Sequence, residues 1–140
     1  MAKPHLELMF DDRGYTCAVM LQPLGHRCGY VGVPRNSVYW GRRSIDLGDI
    51  NCHGGVTYAE DHLPQDKPDG LWWIGFDCMH HRDAPDVWAV RWVYGDEAAE
   101  KVERSRIHGF DDYLVVRTIE YCVRECKLIV DQLTGGDEDD

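Results

Sequence analysis

The chain has 140 residues, 44% of them apolar and 29% charged, with a formal net charge of −10. Such a length and balance describe a single folded domain able to bury its own core, and the acid excess repels phosphate backbones and anionic lipid, so neither general nucleic-acid binding nor a membrane role is expected. The charge is unevenly spread, because no Asp or Glu stands between Gly14 and Ile45, where Arg27, Arg35, Arg42 and Arg43 lie.

No apolar run follows Met1-Ala2-Lys3-Pro4-His5 that would serve as a signal peptide, and no apolar stretch approaches the ~20 residues that a membrane span needs. The expectation is a cytosolic protein. Six cysteines are present without a Cys-x-x-Cys pair, which favours buried thiols over a disulfide framework or a zinc motif.

In chain order, Leu6 to Phe10 alternates as a strand does, and Asp11-Asp12-Arg13-Gly14 is turn chemistry leading into Tyr15 to Leu21. A hairpin is predicted. Cys28 to Val33 reads as a strand whose glycines alternate with larger residues, the pattern of close approach by a neighbour or a ligand. Arg35 to Gly48 has no clear period and sets Arg35, Arg42 and Arg43 beside Tyr39 and Trp40, either a phosphate-and-ring-binding surface or a plain surface loop.

Asn51 to Tyr58 reads as a strand with a glycine pair, and Glu60 to Gly70 as an exposed connection. Leu71 to Cys78 is apolar on both sides, with Trp72, Ile74, Phe76 and Cys78 on one face and Leu71, Trp73 and Asp77 on the other. It should be a central strand covered on both faces. Val87 to Tyr94 suggests another strand, and Asp96 a cap for a short helix through Val102, the whole forming an excursion from the core. Val115, Ile119, Cys122, Cys126, Ile129 and Leu133 recur as one helical stripe, with Asp111 or Asp112 as N-cap and Gly135-Gly136 as stop. The predicted architecture is α+β: an antiparallel sheet packed on one long C-terminal amphipathic helix, a single domain over residues 1–136 followed by an acidic tail, 137–140.

The chemistry concentrates between Asn51 and Asp83. Strand alternation puts Cys52, Val56 and Tyr58 on one face and Asn51, His53 and Thr57 on the other, so neighbouring strands would bring His53 to Asp77. Two chemistries use such a pair. Either His53, Asp77, His80 and Asp83 bind a divalent cation such as zinc, iron or manganese, or Asp77 orients His53 as a general base or ligand donor without a metal. Asp-x-x-His-x-x-Asp is a short spacing, and His81 competes with His80 for its place. The pair is also explicable as a strand-end hydrogen bond, and Cys52 beside His53 or Cys78 beside His80 as a nucleophile is disfavoured by their inward direction. Gly54-Gly55 either offers amides to an oxyanion or bends the strand.

The combination Cys52-His53-Gly54-Gly55-Val56-Thr57-Tyr58, Gly75-Phe76-Asp77-Cys78-Met79-His80 with Asp83, Gly14-Tyr15-Thr16-Cys17 and Leu24-Gly25-His26-Arg27-Cys28-Gly29-Tyr30-Val31, with a C-terminal helix ending Val130-Asp131-Gln132-Leu133, resembles a family of small tailed-bacteriophage proteins. The resemblance implies a phage accessory protein acting in the host cytosol, in host takeover or counter-defence, and supplies no activity. From the residues, the first expectation is a small phosphorylated or nucleotide-like ligand held by His53, Gly54, Gly55, Asp77 and His80 with Arg27, Arg42 and Arg43. The alternatives are a metal-dependent hydrolase of such a ligand, and a protein-binding inhibitor of a host factor acting through acidic groups and exposed Trp residues.

Overall fold

A computed structural model describes residues 2–105 and 114–138. The protein is α+β. Five antiparallel strands, β1 (His5–Asp12), β2 (Tyr15–Leu21), β3 (Arg27–Val33), β4 (Tyr58–Glu60) and β5 (Trp72–Asp77), lie in the order β1-β2-β3-β5-β4, and helix α3 (Ile119–Glu138) packs across β2 and β3. The chain leaves the sheet after β5 for a two-residue strand β6 (Asp83–Ala84), helices α1 (Val87–Tyr94) and α2 (Asp96–Ser105), and β7 (Val115–Val116), which pairs with β6 in parallel. Among the described residues no helix is long and apolar enough to cross a membrane.

The alternation read in Leu71 to Cys78 sorts the core as expected. Ile74, Phe76 and Cys78 join Cys17, Val19, Val31 and Val33 beneath the helix residues Cys122, Cys126, Ile129, Val130 and Leu133. On the opposite face Trp73 packs with Ala18, Met20, Cys28, Tyr30 and Leu63, so the segment after β4 covers what α3 does not. Both faces of β5 are therefore dry, and β5 sits between β3 and β4. The glycines of β3 are spacers: a Cβ on Gly29 would lie 2.4 Å from the Phe76 ring and 2.9 Å from Cys126 Sγ.

Five local expectations need correction. Asn51 to Thr57 is a turn rather than a strand, because Gly54 and Gly55 both take left-handed φ, 69° and 84°, and Gly55 donates back to the Cys52 carbonyl. Pairing with β5 starts only at Tyr58, which consequently packs with Tyr30 and not with Cys52 and Val56. Val87 to Tyr94 is helical: the Asp86 carboxylate caps it by accepting from Ala89 N–H, Gly95 ends it, and Val87 and Val90 pack on Ala99 and Val102 of α2. This small α1–α2 cluster stands apart from the sheet core.

The other three corrections concern α3. Its cap is Thr118, whose hydroxyl accepts from Tyr121 N–H and whose carbonyl accepts from Cys122 N–H, while Asp111 and Asp112 lie outside the described residues. Val115 belongs to β7 and is exposed. The helix continues through Gly135 and Gly136 to Glu138, since Gly135 does not adopt the left-handed conformation that a glycine stop requires.

All six cysteines are free thiols. Burial pushes Cys52 up to about 11 and Cys17 up to about 12, and it raises Cys126 further. Because the thiolate is the reactive species, the native protein should react negligibly with a neutral disulfide reagent at five of the six, with half-buried Cys52 reacting first and slowly. A colorimetric thiol titration with and without denaturant checks this, and rapid native reaction at a second cysteine would contradict it.

Candidate functional site

The turn from Asn51 to Thr57 is fastened to α3 by one side chain. Gln132 accepts from Asn51 N–H and donates to the Asn51 carbonyl, both at 2.7 Å, so the two orphan backbone groups of a non-strand residue are satisfied together. This brings His53 against the first turn of α3. It also brings Gly54 against His80, where a Cβ would lie 2.2 Å from Nε2.

His53 and Asp77 are not partners. His53 Nε2 lies 2.8 Å from Asp83 Oδ2, and its Nδ1 lies 2.6 Å from the Tyr121 hydroxyl. An ionised carboxylate can only accept, so Nε2 carries a proton toward Asp83, and in the neutral ring Nδ1 then accepts from Tyr121. Asp83 Oδ1 meanwhile accepts from Arg117 Nε at 2.8 Å, and Oδ2 also accepts from His80 N–H at 3.0 Å. The Asp83 side chain is fully buried. Burial alone would raise its carboxyl, but the hydrogen bonds from Arg117, His53 and the His80 amide outweigh that and hold it below the usual carboxylate range. The Tyr121 phenol is raised, chiefly by burial, and stays protonated as the donor in this chain.

Asp77 serves the other histidine. His80 Nε2 lies 3.1 Å from Asp77 Oδ1, while the carboxylate is positioned by Thr57 Oγ1, 2.9 Å from Oδ2, and by Met79 N–H, 3.1 Å from Oδ1. The three-residue spacing closes because β5 ends at Asp77 and the chain turns, with Asp83 N–H donating to the His80 carbonyl and Arg82 in a left-handed conformation, φ 79°. His80 Nδ1 has no partner among the described residues. The His80 side chain is 36% exposed against 13% for His53. The expected aspartate-oriented imidazole therefore exists, with His80 in the place predicted for His53.

Two Asp–His pairs thus stand side by side, their rings 5.8 Å apart. The buried one is closed, every hydrogen-bonding position of His53 being occupied. The outer one is open at Nδ1. His53, Asp77, His80 and Asp83 come together, but not as a ligand shell: among the described residues no three His, Cys, Asp or Glu side chains are grouped to hold a metal ion. A cation at His53 and Asp83 would have to displace Tyr121 or Arg117.

The arginines expected here divide. Arg27 is buried and its donors go to Glu7, Asp86 and the Arg117 carbonyl, so it braces β3 against β1 and α1 next to the site rather than facing a ligand. The Arg42 carbonyl accepts from Trp72 Nε1 and its guanidinium lies over Tyr39, while exposed Arg43 meets Asp46. Trp72 begins β5 and Asp77 ends it, about 16 Å apart at the usual rise per residue, so the Arg42–Arg43 segment sits at the far end of the strand. Gly55 gives its amide to the turn and has none to offer an oxyanion.

The residues missed are Arg117, Tyr121 and Arg124. Both guanidiniums lie over the Tyr121 ring, at 4.9 and 5.9 Å, and His53 meets that ring edge-on at 5.3 Å. Tyr121 and Arg124, three residues apart, share a face of α3 next to the apolar one, which was the available signal for them, whereas Arg117 stands before the helix begins and carried no periodic signal. Comparison of the chain with protein-family models, with curated proteins and with solved structures found no match.

Proposed function

We propose that the protein binds a small phosphorylated or nucleotide-like ligand at the open Asp77–His80 pair, as a phage accessory protein working in the host cytosol. The observation that carries the reading is an imidazole oriented through Nε2 by a doubly fixed carboxylate, half exposed, with Nδ1 unpartnered among the described residues. Such a ring accepts a proton from a ligand hydroxyl or, once protonated, donates to a phosphate oxygen. A cleft of about 700 Å³ is lined by Leu24, Met79, Tyr94, Glu97, Lys101 and Val102, and Met79 immediately precedes His80 in the chain. Its size suits a small molecule. The tailed-phage resemblance of the His-Gly-Gly and Gly-Phe-Asp-Cys-x-His segments supports the biological setting.

Mass spectrometry of small molecules released from the purified protein, followed by calorimetry with AMP and inorganic phosphate as probes, tests the reading. His80→Ala should weaken binding by about tenfold or more, the value of a hydrogen bond to a charged group. Unchanged affinity in that variant removes His80 from the site. Chelator should leave both binding and thermal midpoint unchanged, whereas loss of either would favour the metal-dependent hydrolase.

A second reading, inhibition of a host protein, is favoured by Trp88 and Trp92, one turn apart and exposed on α1, with Arg91 over the Trp88 ring. Capture of a host factor that persists in His80→Ala and is lost in Trp88→Ala with Trp92→Ala would select it.

A further inference from the structure

We propose that Tyr121 is a nucleophile for phosphodiester cleavage, with His53 as its base, Asp83 orienting that base, and His80 as the acid that serves the leaving group. The proposal rests on the reading of this site as one for a phosphorylated ligand and adds a reaction to it. Tyr121 Oη lies 2.6 Å from His53 Nδ1, and His53 Nε2 lies 2.8 Å from Asp83 Oδ2. A hydroxyl on a base that a third group orients is the arrangement by which a weak nucleophile is activated. That third group is firmly held, because the Asp83 side chain is fully buried and also takes Arg117 Nε and the His80 N–H. The phenol belongs to a half-buried residue in the first turn of α3.

The substrate class follows from what surrounds the phenol. The Arg117 and Arg124 guanidiniums lie 4.9 and 5.9 Å from the centre of the Tyr121 ring. Arg117 gives only Nε to Asp83, and among the described residues neither its terminal nitrogens nor Arg124 has an acceptor. Planar cations with free donors suit the charged oxygens of a phosphate. Acyl transfer is the poorer fit, because it needs amides aimed at a carbonyl oxygen and the Gly55 amide is taken by its own turn. A diester is favoured over a monoester because Asp83 and Glu125 both act on the phenol, and a diester brings less negative charge to them.

In the first step Tyr121 Oη bonds to phosphorus, its proton passes to His53 Nδ1, and the resulting imidazolium keeps its Nε2–H on Asp83. The bond from phosphorus to the leaving oxygen breaks, and protonated His80 gives that oxygen the proton on Nδ1, while its Nε2 stays on Asp77 at 3.1 Å. In the second step water attacks the phosphotyrosyl ester and loses a proton to His80 Nδ1, the bond to Oη breaks, and the phenolate recovers its proton from His53. The sum is diester and water giving monoester and alcohol.

The p-nitrophenyl ester of thymidine 5′-phosphate is the probe, since nitrophenolate departs without an acid. The wild-type protein should release nitrophenolate catalytically, and Tyr121→Phe, which keeps the ring and loses only the hydroxyl, should lower the rate by about a thousandfold or more. Arg124→Gln, at an exposed position, should lower it by about tenfold or more. His80→Gln should form the intermediate and fail to clear it, so that acid quenching and peptide mass spectrometry find the nucleotidyl group on Tyr121. Absence of release by the wild-type protein overturns the proposal, as does release that survives Tyr121→Phe or a His80→Gln protein without the Tyr121 adduct. AMP binding that is lost in His80→Ala, with no release from the probe, would leave ligand binding at Asp77–His80 and remove the reaction. A Tyr121 adduct in a protein that does not bind AMP would do the reverse.

Discussion

Asp83→Ala is expected to lower stability by about 3–5 kcal/mol, the effect of removing one partner from a buried ion pair. The fully buried carboxylate takes Arg117 on one oxygen and His53 and the His80 amide on the other, so its loss leaves a guanidinium, an imidazole N–H and a backbone N–H without acceptors. It also releases the link between the end of β5, the Asn51–Thr57 turn and α3, three segments held together at this point. Against a total of about 5–15 kcal/mol for a domain, that is a large fraction. Urea unfolding of the purified variant measures it, and a loss under ~1 kcal/mol would show that the network relaxes around the gap. Asp83→Asn should fall between the two, since its single oxygen can serve Arg117 or His53 but not both.

The same carboxylate predicts the acid limb of the stability curve. Its native pKa lies below the unfolded value, so its contribution is complete above the ordinary carboxylate range, about 4, and is lost as pH falls through the depressed native value. The wild-type protein should therefore lose stability on acidification more steeply than Asp83→Asn does.

Gly29→Ala is expected to cost about 1–3 kcal/mol through overpacking. The added methyl would meet the Phe76 ring at 2.4 Å and Cys126 Sγ at 2.9 Å, and neither can withdraw easily, since Phe76 is buried in the core and Cys126 lies on the buried stripe of α3. Relief requires α3 to move off β3 or the β3–β5 spacing to open, either of which disturbs the core that this helix and strand share. Gly14→Ala is the useful contrast. No atom lies within 4 Å of its Cβ position, so only the left-handed φ of 86° opposes it. Thermal unfolding should separate the two mechanisms when Gly29→Ala is combined with Cys126→Ala. Partial recovery in the double variant is expected only for the contact at Gly29.

Much of the fold was legible because most strands and α3 carry a period. β5 alternates between two dry faces, and Cys122, Cys126, Ile129 and Leu133 mark the buried side of α3 without ambiguity. Where the reading failed, local chemistry pointed two ways. Val87 to Tyr94 is rich in β-branched and aromatic residues, yet the Asp86 cap and Gly95 stop, together with packing on α2, made it a helix. The glycine pair at Gly54 and Gly55 was compatible with either a strand or a turn until the positive φ of both residues was known.

The residues of the site were legible as a set, and their partners were not. Sequence alone determined that imidazoles and carboxylates cluster between His53 and Asp83, and that Asp77 and His80 stand three residues apart at a strand end. Which histidine meets which aspartate depends on where two turns fall. The Asn51–Thr57 turn, clamped by Gln132, carries His53 past Asp77 to Asp83, and the His80–Asp83 turn folds His80 back onto Asp77. Tyr121 enters because α3 packs across the sheet, and Arg117 because β7, which it follows, pairs with β6; their partners lie 68 and 34 positions away. Periodicity acts over a few residues and so determines faces. Pairing across the chain depends on turn geometry and helix docking, which only the tertiary structure decided.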